Sequence, residues 1–222
     1  MGCTRNRAHL RLDWMTVLRT VPPVVWLLLG FLGSRLLYLF LIHPDHFFIL
    51  SEDELYKGVI AKELASGRSL PLIEYRANNY SGGSVVVGTI ASGFFRLFGP
   101  TVFALKLAPL LFSSLALVFW YLTLQRYVCN QVATYFALLF ILSPPLFTSY
   151  SLTALGGHGE SLCFTALTLF LFFRLRSSNN GRRAGPVLLG LTAGFGLWVS
   201  YIYALTLVTV LVLWRWSEDP RR

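Results

Sequence analysis

Charge is what this sequence has least of. Only 13% of its 222 residues are Asp, Glu, Lys or Arg, against roughly 25% in soluble domains. Hydrophobic residues make up 55% and mean hydropathy is +0.60. Polar faces are missing too: the apolar stretches lack the charged stripe that a water-facing helix carries, which excludes a soluble helical core. Cysteine is scarce and scattered. Cys3, Cys129 and Cys163 show neither paired nor metal-ligand spacing, so no disulfide framework or thiolate metal site is implied. The four histidines also lack metal-site spacing. Acids are fewer than bases, ten against nineteen, yet the basic residues sit in short flanks between apolar runs. That distribution argues against nucleic acid as a partner, because a phosphate backbone needs a basic face or tail.

What is present is a series of apolar runs of the length a bilayer pass needs, roughly 20 residues. The fold expected is all-α: a polytopic transmembrane helical protein. A basic tail, 1–20, carries Arg5, Arg7, Arg11 and Arg19 against Asp13. The first run, 21–42, contains Arg35 and exceeds a signal-peptide core, so it reads as a retained anchor. The longest polar stretch follows, from His43 to Gly83. Within it Asp53 to Ser66 reads as an amphipathic helix, with Leu55, Tyr56, Val59, Ile60 and Leu64 on its apolar side and Lys57, Lys62 and Glu63 on its surface. Gly67 ends it. Further apolar segments occupy 84–98, 101–124, 131–149, about 158–173 and 187–214. The last is long for one pass and short for two, with Trp198 to Tyr203 as a candidate break. Pro144-Pro145 marks a stop or kink. The count is four spans plus this last run, and 215–222 is a polar tail.

Orientation follows from charge, since Lys and Arg accumulate in cytoplasmic loops. The N-terminal tail, the loop holding Arg126, and the loop with Arg174, Arg176, Arg182 and Arg183 fall on one side only if 84–98 lies along the membrane or re-enters it. The outer loop is then 43–100, in a membrane domain spanning 21–214, and Gly156–Glu160 emerges on the same non-cytoplasmic face. The acids collect there as well: Asp45, Glu52, Asp53, Glu54, Glu63 and Glu74.

Each candidate residue has two readings. Asp53 and Glu54 open a helix, where carboxylates cap free N–H groups; they could equally supply a base or hold a divalent cation against a lipid-linked phosphate. Glu160, beside His158, either caps the helix starting near Ser161 or does chemistry at the membrane boundary. Arg96 and Lys106 snorkel to headgroups or bind phosphate. Arg35, deep in its run, calls for an acidic partner. Tyr75, Asn79 and Tyr80 could line a sugar site, or settle at the interface for their own sake.

In order along the chain, several segments resemble one superfamily, the GT-C membrane glycosyltransferases that use polyprenyl-phosphate sugars. Among its members the protein mannosyltransferases and the lipid A aminoarabinose transferase are the most similar. The segments are Ser51-Glu52-Asp53-Glu54-Leu55-Tyr56-Lys57-Gly58, Pro71 through Ser84, Phe94 through Gly99, Phe103 through Pro109 with Lys106 where the family often has Arg, Gly156 through Glu160, and Gly190 to Tyr201. The resemblance covers about 21–214 and corresponds to the amino-terminal part of such enzymes.

It implies juxtamembrane helices in the first outer loop and transfer of a hexosyl or pentosyl group to a lipid, glycan or protein hydroxyl. Asp53 would be the catalytic carboxylate or metal contact, Glu54 a second candidate and Glu160 a supporting acid. Tyr75, Asn79, Tyr80, Arg96, Lys106 and His158 would bind substrate, and a divalent cation is the candidate cofactor. The implied setting is a bacterial inner membrane with a cytoplasmic N-terminus. Family enzymes continue for several more spans, so the chain is expected to be a fragment, a truncated product or a member that needs a partner subunit. The rival readings are a non-catalytic assembly protein and, behind it, a transporter, for which no repeat is visible.

Overall fold

The computed structural model describes residues 14–42, 51–69, 82–177 and 184–218. All of the regular structure among them is helical. Helix α1 runs Trp14–Leu37 and continues as a π-helical turn, Tyr38–Ile42. It thus begins inside the segment read as a basic tail. After it come α2, Glu52–Ala65, and α3, Gly82–Phe98. Next are α4, Val102–Tyr127, α5, Asn130–Ile141, and the short α6, Pro145–Tyr150. Helix α7 covers Gly159–Ser177 and α8 covers Ala184–Val199. A 3-10 turn, Tyr201–Tyr203, leads into α9, Ala204–Glu218.

Local chemistry sets these boundaries. The Ser51 hydroxyl accepts from the Glu54 N–H at 3.3 Å, and Glu52, Asp53 and Glu54 fill the first turn of α2, where negative charge suits the helix dipole. At the other end Gly67, at φ +82°, donates to the Leu64 carbonyl and Arg68 donates to that of Glu63. This is the paired-bond ending that a left-handed glycine permits. Thr101 caps α4 through the Ala104 N–H. The segment 131–149 is divided, because Pro145 can open α6 but cannot continue α5. The last run is divided as well, at Ser200.

Two helices, Pro23–Leu41 and Val102–Tyr127, are long and apolar enough to cross a bilayer, and α3, α5, α8 and Tyr201–Trp216 are shorter apolar helices. Helix α4 is the axis of the molecule, packing on α7, α5, α3 and α1, while α2 lies chiefly against α3.

Two sequence expectations need correction. Arg35 is buried, and no acid among the described residues pairs with it. Its guanidinium donates to the carbonyls of Phe140 and Ile141, at 2.9 and 3.1 Å, and to the Ser143 hydroxyl at 2.7 Å. It therefore satisfies the open carbonyl end of α5, groups that an apolar surrounding cannot hydrate. On α2 the buried face mixes charge with apolar groups: Glu54 and Lys57 are buried beside Ile60 and Ala61, whereas Leu55 and Val59 are each 51% exposed.

Candidate active site

The first turn of α2 meets the start of α4 and the 151–158 loop at one end of the bundle. Lys106 sits one turn into α4, and its ammonium lies 2.9 Å from Glu54 Oε1, both side chains being 3% exposed. The same carboxylate oxygen accepts from the Ala154 N–H at 3.1 Å, and Lys106 also donates to the Leu152 carbonyl at 3.4 Å. The pair therefore welds α2, α4 and the loop into one unit. It meets the condition for a tolerable buried ion pair, that further hydrogen bonds satisfy both partners.

Asp53, the preceding residue, points differently. Its Oδ1 is 3.4 Å from the ammonium of Lys57, yet its side chain is 43% exposed while that of Lys57 is 3% exposed. Of the candidate acids Asp53, Glu54 and Glu160, Asp53 is the one open to a molecule outside the fold, beside exposed Glu52. Glu160 is fully buried at the start of α7 and accepts from the Gly156 N–H at 3.3 Å through Oε1; Oε2 has no hydrogen-bond partner among the described residues.

Glycines make this convergence fit. A Cβ on Gly83 would lie 1.3 Å from the Gly156 carbonyl oxygen, and one on Gly82 would lie 2.0 Å from that of Trp198. The N-terminus of α3, the glycine loop and the C-terminal end of α8 thus cross with backbones nearly touching, which only residues without side chains allow.

The structure brings Asp53, Glu54, Lys106 and Glu160 to one end of the bundle. His158 shares that loop but is exposed, with its ring 6.3 Å from that of Tyr150. Arg96 is elsewhere. It donates to the Leu64 carbonyl at 3.0 Å, ten residues along α2 from Glu54 and so about 15 Å away along the helix. Tyr75, Asn79 and Tyr80 lie outside the described residues.

Lys57 is the residue that sequence reasoning placed wrongly, on the surface. The signal for it was its position four residues after Asp53, the spacing at which a helix pairs acid with base. Among the described residues no group of three His, Cys, Asp or Glu side chains converges, and Asp53 and Glu54 each face a lysine.

Residues 83–222 match the family model described as dolichyl-phosphate-mannose-protein mannosyltransferase. The chain belongs to this mannosyltransferase family. It is accordingly a helical integral membrane protein of glycosyltransferase type. The match takes in Lys106 and Glu160, while the α2 turn with Asp53, Glu54 and Lys57 precedes it. No curated protein and no solved structure matches the chain.

Proposed function

We propose that the chain transfers a sugar from a polyprenyl-phosphate donor to a hydroxyl of a lipid, glycan or protein at the non-cytoplasmic membrane face. The family description makes a polyprenyl-linked mannose the first donor to test. The observation carrying this reading is the acid and lysine cluster, in which Asp53 is open to an incoming molecule while Glu54 and Glu160 are sealed beneath it.

Asp53 takes the proton of the acceptor hydroxyl as that oxygen bonds to the anomeric carbon. The bond from that carbon to the phosphate oxygen breaks, and polyprenyl phosphate leaves with the electron pair. Lys106, already shared between Glu54 and the Leu152 carbonyl, contributes positive field to the site without a free ammonium. The same reading takes the fold as multi-pass, with α2 and α3 along the outer face and the N-terminus in the cytoplasm.

The test is sugar transfer in proteoliposomes, with polyprenyl-phosphate mannose as donor and hydroxyl-bearing peptides and lipids as acceptors. Asp53→Asn is expected to lower turnover by about 10²- to 10⁴-fold, the range of a positioned base. Undiminished transfer by this variant would remove Asp53 from the mechanism. A wild-type chain that transfers nothing from any polyprenyl-phosphate donor would favour the assembly-protein reading.

A further inference from the structure

Lys57 stands between the Asp53 carboxylate and the glycine whose N–H Glu160 accepts. On one side its ammonium is 3.4 Å from Asp53 Oδ1. On the other, its side chain runs beneath Gly156, whose missing Cβ would come within 2.9 Å of Lys57 Cε. The N–H of that glycine holds Glu160 Oε1. Gly156 is at φ +78°, so both its conformation and its lack of a side chain make room for the lysine stem. A buried ammonium is costly to desolvate and stays only where negative charge faces it. Asp53 supplies that charge from the open rim, while Glu160 fixes the glycine on which the lysine stem packs.

We propose that Lys57 is a positioning residue for the base, holding the Asp53 carboxylate toward the acceptor, with buried Glu160 holding the Gly156 backbone that keeps Lys57 in place. This rests on Asp53 being the base of a sugar transfer. The lysine touches no substrate: it fixes the side-chain torsions of Asp53 from beneath, and Glu160 acts only through the lysine.

The experiment is a set of mutant cycles on the full chain in proteoliposomes, with polyprenyl-phosphate mannose as the varied donor. Lys57→Met keeps the stem and removes the charge. Its kcat is expected to fall about tenfold or more, the size of effect that supporting outer partners carry. The donor KM should change by less than about twofold, because a group acting only in the transition state leaves ground-state binding alone. Lys57→Met should have no further effect in an Asp53→Asn background, and Lys57→Met/Glu160→Met should be no slower than Lys57→Met. Glu160→Met alone, which releases the Gly156 N–H but leaves Lys57 facing Asp53, should also lose kcat without a change in KM, and this keeps the test open if Lys57→Met fails to fold.

Additive losses in either cycle would overturn the positioning role. So would a raised donor KM with kcat intact, which would make Lys57 a donor-binding group. An inactive wild type would instead overturn the transferase reading and the positioning role with it, so the two failures are distinguishable.

Discussion

At the scale of single residues the molecule is organised by buried charge in an apolar setting. Glu54 and Lys106 come from helices separated by 52 positions in sequence and are equally sealed from solvent. Removing one partner leaves the other charged and unmatched, which costs about 3–5 kcal/mol where such pairs have been broken. Lys106→Met is therefore expected to lower the unfolding midpoint in detergent substantially, and Glu54→Gln to do the same. The double variant should recover much of the loss, since two neutral side chains of similar volume replace the pair. Thermal unfolding of the four proteins checks this. Fully additive destabilisation would show that the two residues do not work as a unit. Arg35 follows the same logic with carbonyl oxygens in place of a carboxylate: one planar guanidinium reaches three acceptors at the end of α5, which a single ammonium could not match in geometry.

Among the elements, helix positions were legible because each rests on an apolar run bounded by a residue that stops it. Pro145 ends the α5 run, Gly67 ends α2 and Thr101 starts α4, all visible as residue types. The inward face of α2 was not legible, for a physical reason. Reading apolar residues as inward presupposes water outside. In a membrane protein the lipid is as apolar as leucine, and charged groups turn to the bundle interior. Leu55 and Val59 accordingly face outward, and Glu54 and Lys57 face in. The meeting of α2 with Gly156 was hidden for another reason, since it depends on a contact across about 100 positions that no local pattern encodes. The glycine crossing gives a prediction at this scale. Gly83→Ala places a methyl within the Gly156 carbonyl, whereas Gly93, on the same helix, has nothing within 4 Å of its would-be Cβ. Gly83→Ala should abolish or severely reduce folded yield. Gly93→Ala should be neutral or stabilising by up to about 1 kcal/mol, the propensity difference in a helix interior. Size-exclusion profiles and unfolding midpoints compare them, and equal behaviour of the two would refute the close crossing.

Across the whole molecule the two ends differ in charge. Lys106 and Glu54 mark one end. At the other, Tyr127, next to Arg126, lies with its ring 5.3 Å from that of Phe173, next to Arg174, and Arg176 stands over the Phe172 ring. Twenty helical residues separate Lys106 from Arg126 on α4, a rise of about 30 Å, which equals the thickness of a bilayer's hydrocarbon core, about 30 Å. Helix α7 likewise runs from Glu160 to Arg174 and Arg176, over a shorter rise of about 21 to 24 Å. On the proposed transferase reading, the positive-inside rule would turn this arginine-bearing end, with Arg126, Arg174 and Arg176, to the cytoplasm. That orientation needs helix α3 along the interface, because a full pass there would put Arg126 and Arg174 on the outer side. Replacing Cys3, Cys129 and Cys163 and adding one new cysteine tests the orientation directly. Glu52→Cys, exposed at the start of α2, should react with a membrane-impermeant maleimide in intact cells. Arg176→Cys, exposed at the end of α7, should react only after the membrane is opened. Reaction of Arg176→Cys alone in intact cells would invert the molecule and put Asp53 in the cytoplasm, away from an outward-facing donor. Reaction of both would mean that α4 and α7 do not cross, and the transfer reaction would then lose the membrane face on which it depends.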